Sequence, residues 1–259
     1  MISKELEDTL WGAIEIFKKP SFINDDPIQI PHSFTNPRDI ELSGFFTAII
    51  SWGQRKTIIK SAKQMMEFMD YSPYDFIINS SIHEKRYLSN FKHRTFNGED
   101  FIFLINRLQN LLVEYGTLEN IFFLKISKST NKLSIEQALV NFRKLIFSEG
   151  ETRTKKHIAS PLKNSACKRL NMFLRWMIRN DQVDFGIWNA IPTSELLMPL
   201  DIHVINSTKR LEILPNLKSN WMGCQALTQV FKEIHPEDPV IFDFALFGLG
   251  VEKQGYNGL

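Results

Sequence analysis

The chain has 259 residues, 43% of them hydrophobic and 23% charged, enough to bury a full core in one large domain or two closely packed lobes. Its 31 Lys and Arg against 29 Asp and Glu leave a net charge of +2, so any attraction to a polyanion must come from local segregation of charge. No segment approaches the roughly twenty continuous apolar residues of a membrane-spanning helix. The opening Met1-Ile2-Ser3-Lys4-Glu5-Leu6-Glu7-Asp8 is acidic and helical in pattern, unlike a secretion signal. The two cysteines, Cys167 and Cys224, form no CxxC pair, which excludes a cysteine-built zinc or iron–sulfur site and argues against a disulfide framework. A cytoplasmic protein without metal or other cofactor is expected.

In chain order the pattern is almost wholly helical. Leu6, Leu10, Ile14 and Phe17 give an amphipathic helix over 2–18, followed by an irregular stretch around Pro20, Pro27 and Pro31. Asn36-Pro37 then offers an N-cap and a first-turn proline, with Asp39 in the first turn. That helix presents Leu42, Phe45, Phe46, Ile49 and Ile50 and stops near Gly53; a second begins about Lys56 and carries Ile59, Ala62 and Met66. The same periodicity predicts helices near 73–80, 83–90, 98–115, 117–125 and 134–147, with short β elements allowed around 91–97. Residues 150–160 read as a basic loop. Ser160-Pro161 starts a helix to about Arg179, and helices over 184–190, 200–212, 221–234 and 240–248 complete the chain. The expected architecture is all-α, with two helical lobes and a cleft between them, lobe one being about 1–35 plus 150–259 and lobe two about 36–149.

Charge is segregated along this order. Residues 143–179 hold ten Lys and Arg (143, 144, 153, 155, 156, 163, 168, 169, 175 and 179) against Glu149 and Glu151, a window charge of +8 that leaves −6 elsewhere. Such a window suits a phosphate backbone. On a helical wheel from Pro161, Leu162, Ala166, Leu170, Phe173, Leu174 and Met177 share one face, and Asn164, Lys168, Asn171, Arg175 and Arg179 the other. No Gly-rich phosphate loop, GxSxG elbow or Cys-His nucleophile pattern occurs. Asp201 and His203 stand one residue apart, and the spacing of His93, His157 and His235 completes no metal set with them.

The most informative segment is Met198-Pro199-Leu200-Asp201-Ile202-His203-Val204, with Lys209-Arg210-Leu211 one helix length on. It resembles the segment that carries the catalytic aspartate in helix-hairpin-helix DNA glycosylases, where an apolar-Asp-x-His-Val run precedes a helix with an Arg-Leu pair. Ile49-Ile50-Ser51-Trp52-Gly53-Gln54-Arg55-Lys56-Thr57 is similar to that superfamily's turn whose Gln or Asn enters the duplex beside a flipped nucleotide. The run Glu237 to Gly250, with Phe242 and Phe244, looks like the last helix of the archaeal 8-oxoguanine glycosylases, where aromatics line the base pocket. The Gly-x-Gly hairpin turn that names the family is absent between Asp184 and Asp201. The archaeal branch also has a divergent hairpin and a lysine farther upstream of the aspartate; Lys168 precedes Asp201 by a similar 33 residues. The strings His93-Arg94-Thr95-Phe96-Asn97-Gly98 and Lys168-Arg169-Leu170-Asn171 are in addition similar to those of an uncharacterised bacterial family, which implies no activity.

The glycosylase resemblance implies a monomeric, membrane-independent DNA-repair enzyme acting on double-stranded DNA. It would be a base-excision glycosylase, with hydrolase or lyase chemistry, acting on a flipped damaged base such as an oxidised purine. Lys168 would be the nucleophile, with Lys163 in reserve, and Asp201 the catalytic carboxylate. Gln54, Arg55, Lys56, Arg153, Lys155, Lys156, Arg169 and Arg175 would hold DNA, and Trp52, Phe242 and Phe244 would line the base pocket. The alternative is a catalytically inactive helical DNA- or RNA-binding protein with the same fold.

Overall fold

The computed structural model describes residues 2–124, 134–150 and 152–252, so Lys125, at the end of the helix expected over 117–125, and Glu151 of the basic window lie outside the described residues. Helix makes up 66% of the structure, and the sheet among the described residues has two strands. The elements are α1 (Lys4–Phe17), α2 (Ser21–Asp25), α3 (Pro37–Ile49), α4 (Arg55–Phe68), α5 (Pro73–Asn79) and α6 (Ile82–Tyr87). An antiparallel hairpin of β1 (Lys92–His93) and β2 (Phe96–Asn97) leads into α7 (Gly98–Tyr115), α8 (Leu118–Phe122) and α9 (Ile135–Ile146). Then come α10 (Lys168–Ile178), α11 (Ile202–Arg210), α12 (Trp221–Lys232) and α13 (Phe242–Glu252). No helix among the described residues is long and apolar enough to cross a membrane.

Helix starts follow local chemistry. Asn36 caps α3 by accepting from the Arg38 amide at 3.0 Å, with Pro37 in the first turn. Asn97 and Asp100 form a reciprocal capping box at α7, and Gly116 (φ 83) ends that helix.

The chain divides into two compact units, 25–159 and 1–24 with 160–259. The expected lobe boundaries, after 35 and after 149, are displaced by about ten residues, for a packing reason. Pro27–Gln29 and Pro31–Ser33 form 3-10 turns against α3 and α4. At the other boundary, Arg143 donates to the carbonyls of Lys155 and Ile158, tying that segment to α9.

In the unit of 25–159, α3 is the central element: every residue from Ile40 to Ile49 is buried, where one apolar face was expected. Phe45 meets Phe142 edge-on and Phe46 meets Phe101, while Phe122 stacks on Phe142 with centroids 3.9 Å apart. Asp100, fully buried, organises the β1–β2 side. Its carboxylate accepts from the Asn97 amide, from Arg153 at 2.8 Å and from the Thr154 hydroxyl at 2.9 Å, with His157 Nε2 3.3 Å away.

In the unit of 1–24 and 160–259, α13 packs between α1 and α11 over a core that includes Leu10, Ile14, Phe17, Val204, Phe231, Phe242 and Leu246. Gly250 permits the close approach of α11, since a Cβ there would lie 2.8 Å from His203 Cβ and 2.9 Å from Ser207 Oγ. The helix expected over 184–190 is absent. The Asp181 carboxylate instead accepts the Val183 and Asp184 amides in a turn, and the amides of Phe185 and Trp188 donate to the Trp176 and Met177 carbonyls at the end of α10.

Arg175 and Arg179, expected on the polar face of this helix, are buried. Arg175 pairs with Asp184 at 3.3 Å and with Asp243; Arg179 pairs with Asp184, with Asp181 at 2.9 Å and with Asp238 at 2.8 Å. Removing Asp184 leaves two buried guanidiniums short of a counter-charge. Asp184→Ala is therefore expected to cost about 3–5 kcal/mol in urea unfolding; a loss under about 1 kcal/mol would show that the other carboxylates suffice.

Candidate functional site

The approach to α10 bends too sharply to be helical. Pro161–Lys163 makes one 3-10 turn, and Asn164 (φ 52) and Cys167 (φ 46) both adopt the left-handed conformation that most non-glycine residues avoid. Several contacts hold this turn. Asn164 O accepts the Trp221 amide, Ser165 bridges Asn220, and Ala166 O accepts from both Asn171 Nδ2 at 3.0 Å and Cys224 Sγ at 3.3 Å. The helix expected from Pro161 consequently begins at Lys168, and the lysine projects from its first turn rather than from its middle.

Asp201 occupies the matching position on α11. As N-cap, its Oδ1 accepts the His203 amide at 2.8 Å, leaving Oδ2 to meet Lys168 Nζ at 3.1 Å. The side chains retain 30% and 19% of their exposure, so the pair is accessible at its edge. Burial pushes the Asp201 carboxyl up, but the Lys168 ammonium and the His203 amide outweigh it and hold the group below its ordinary value. Two residues 33 apart in sequence thus share one ion pair, each anchored at a helix start.

Of the other nominated residues in the same unit, three do not form an accessible surface. Phe242 is buried, stacked on Phe231 with centroids 4.6 Å apart and edge-on to Trp11. Phe244 is buried against Phe22 and beneath the Arg175 guanidinium, 4.5 Å from its ring centroid. Neither ring is open to a base: the apolar sequence around them reflects core packing. Arg175 is spent on carboxylates and cannot serve as a surface contact to DNA. Asn171, expected beside Lys168 on the polar face, is also buried. Arg169 is half-buried, with burial lowering its guanidinium to about 10, and Lys163 is exposed in the turn.

The remaining nominated residues belong to 25–159. Trp52 is half-buried, stacked on His157 with centroids 5.6 Å apart and edge-on to His93. Gln54 is the exposed N-cap of α4 with no side-chain capping bond, followed by half-buried Arg55 and exposed Lys56. Gly53 is favoured by its backbone, whose φ of 106 is rarely adopted by residues with a side chain; a Cβ would also sit 2.7 Å from Arg94 Nη1, at the end of a flexible side chain. Arg153 is exposed but bonded to Asn97, Asp100 and the Thr95 carbonyl, Lys155 lies 5.8 Å over the Phe147 ring, and Lys156 is exposed. The basic window is therefore partly an internal network: Arg143, Arg153, Arg175 and Arg179 all bond within the protein. Among the described residues, no group of three or more His, Cys, Asp or Glu side chains is placed to hold a metal ion.

Sequence reasoning missed Asp243, Asp184 and Asp238. A signal for Asp243 was present, because it is the lone charge in Val240-Ile241-Phe242-Asp243-Phe244-Ala245-Leu246 and a buried carboxylate needs a partner.

Residues 26–252 match the model of a family described as protein of unknown function (DUF2400), and the chain belongs to that family. No curated protein and no solved structure matches it.

The double duty of Asp201 separates two substitutions. Asn still caps a helix, so Asp201→Ala should lose about 1 kcal/mol more than Asp201→Asn in urea unfolding. Because the carboxyl is held below its ordinary value, its ion-pair contribution is present above the unfolded-state value of about 3.9 and lost as pH falls through the lower folded-state value. The stability gap between wild type and Asp201→Asn should accordingly close in strong acid; a gap constant from neutral pH to strong acid would exclude the pair as its source.

Proposed function

We propose that the protein is a DNA base-excision glycosylase with lyase activity, using Lys168 as nucleophile and Asp201 as the carboxylate beside it. The observation that carries this reading is the 3.1 Å Lys168–Asp201 pair at two helix starts, with part of each side chain open to solvent. An amine and a carboxylate in contact are the two groups that the chemistry requires. The amine, once deprotonated, attacks C1′ of the target nucleotide while the C1′–N bond breaks and its electron pair leaves with the base. The carboxylate offsets positive charge developing on the sugar, and loss of a proton from nitrogen with ring opening gives a Schiff base.

The turn before α10 supports the same reading. The superfamily resembled by the 198–204 segment places a Gly-x-Gly turn ahead of the helix bearing its lysine. Here Asn164 and Cys167 adopt, without glycine, the positive φ that glycine ordinarily supplies. In the unit that holds the pair, Lys163 is exposed and would contribute to salt-dependent binding of a phosphate backbone; Lys56, Arg153 and Lys156 are the exposed nominated cations of the unit of 25–159.

A specific observation also favours a second reading. Lys168 continues a stripe on α10 whose deeper members, Arg175 and Arg179, form ion pairs with a purely internal setting. Under that reading Lys168–Asp201 is the outermost structural pair, and the protein binds nucleic acid without excising a base.

Borohydride trapping on duplexes carrying oxidised, alkylated, deaminated or abasic sites tests the choice. A covalent adduct is expected with wild type and none with Lys168→Gln, while Asp201→Asn slows base release by about two orders of magnitude or more. Duplex affinity should survive Lys168→Gln, and replacing Lys163 by Ala should flatten the salt dependence by about one in the slope of log K if it neutralises one phosphate. Binding with neither adduct nor base release on the whole panel would select the second reading.

A further inference from the structure

Both ends of the Lys168–Asp201 pair are mounted on α12, a helix that contributes no charge to the pair. Trp221, Cys224 and Thr228 follow one another at intervals of three and four, so they share one face of that helix. On the lysine side, the Trp221 amide donates to Asn164 O, and Cys224 Sγ donates at 3.3 Å to Ala166 O, just before Lys168. On the aspartate side, Thr228 Oγ1 accepts the Met198 amide at 2.9 Å and donates to the Cys224 carbonyl at 2.7 Å. Thr228 is 2% exposed and Met198 is fully buried, so bulk water cannot replace either partner. From Met198 the chain then reaches Asp201 with little freedom. Pro199 fixes its own φ, the Asp201 amide donates back to the Pro199 carbonyl at 2.9 Å, and Asp201 Oδ1 is held by the His203 amide. The anchor at Met198 is thereby passed to the carboxylate, as the anchor at Ala166 is passed to the lysine.

We propose that Thr228 is a positioning residue for the reaction: by holding Met198 to the helix that also holds Ala166, its hydroxyl sets the separation of the Lys168 amine and the Asp201 carboxylate. The inference rests on the Lys168–Asp201 reading of the site. Thr228 moves no proton and forms no bond with substrate; what it supplies is geometry, which an attacking amine and its carboxylate need to within about an ångström. Its two bonds differ in kind. The one to the Cys224 carbonyl is the local bond that a helical threonine commonly makes within its own helix. The one to the Met198 amide reaches 30 residues back in sequence and contributes nothing to the helix that bears it. A buried amide left without an acceptor is costly, so the segment from Met198 to Asp201 shifts to pair that amide elsewhere once the hydroxyl is removed. The shift is felt at the Asp201 carboxylate, because Ala166 and the lysine behind it stay on α12.

The test uses the full chain with Thr228→Val, which keeps the shape and removes the hydroxyl, and Thr228→Ser, which keeps the hydroxyl. Carbon-13 NMR of the Asp carboxyls follows Asp201, whose carboxyl burial raises and the Lys168 ammonium lowers. Borohydride trapping on an abasic-site duplex follows the chemistry. In Thr228→Val the Asp201 titration should move up toward the ordinary carboxylate range and the trapping rate should fall by about one to two orders of magnitude, with duplex affinity unchanged. Thr228→Ser should recover both readouts most of the way. Pro199→Ala leaves the Met198 bond in place and loosens the link from it to Asp201. It should move both readouts in the same direction by a smaller amount, and it carries the test if Thr228→Val does not fold. An unchanged Asp201 titration in Thr228→Val, or in Pro199→Ala should the former not fold, would overturn the inference. So would a loss that Thr228→Ser shares in full, which would belong to side-chain packing and not to the hydroxyl. Absence of any wild-type adduct would instead overturn the lyase reading, and the titrations would still decide whether Thr228 sets the pair.

Discussion

Two guanidiniums removed from water on one helix constrain everything around them. Arg175 and Arg179 are one turn apart on α10, and neither can be buried without counter-charge. That counter-charge comes from Asp181 and Asp184 in the turn just after α10 and from two places distant in sequence, Asp238 before the 3-10 turn that leads to α13 and Asp243 in α13 itself. The pairs fix α10 in rotation about its axis and in depth. They also hold the start of α13, whose Phe242 and Leu246 then complete the core with α1 and α11. Burial alone would lower the Arg179 guanidinium; Asp184, Asp238 and Asp181 together raise it instead, so that guanidinium remains charged.

With α10 fixed at its far end, its near end is set by the left-handed turn at Asn164 and Cys167. Lys168 emerges where that turn stops, and its reach is met by Asp201 because the latter's other oxygen is already engaged in capping α11. Neither residue therefore depends on a flexible loop for its direction: both are set by helix starts, which are among the more rigid places to mount a side chain.

Helices were legible wherever a 3.6-residue apolar period coincided with a cap. The Asn36-Pro37 start, and α7 over the predicted 98–115, are examples. The beginning of α10 was not legible, because nothing in Asn164-Ser165-Ala166-Cys167 announces that its first and last residues both adopt positive φ; the contacts from Asn220, Trp221 and Cys224 impose it. The wheel grouped Lys168, Asn171, Arg175 and Arg179 correctly on one face, but a wheel cannot tell a face exposed to solvent from a face met by carboxylates 59 and 68 residues away. The same blindness made Phe242 and Phe244 look available when Trp11, Phe22 and Phe231 cover them. The Lys168 and Asp201 positions were legible through the resemblance of short strings; their contact required the fold.

The cations on that face differ in a way that bears on chemistry. At the two buried positions the residue is arginine, which forks onto two or three carboxylates and stays charged across the accessible pH range, properties suited to holding structure. At the half-exposed end it is lysine, with a single partner and a nitrogen that becomes a nucleophile on losing one proton. An ion pair needed only for packing would be served at least as well by arginine in that place, and with an additional hydrogen bond. The change from arginine to lysine coincides with the change from buried to accessible. It puts the lysine of the stripe at its solvent-accessible end.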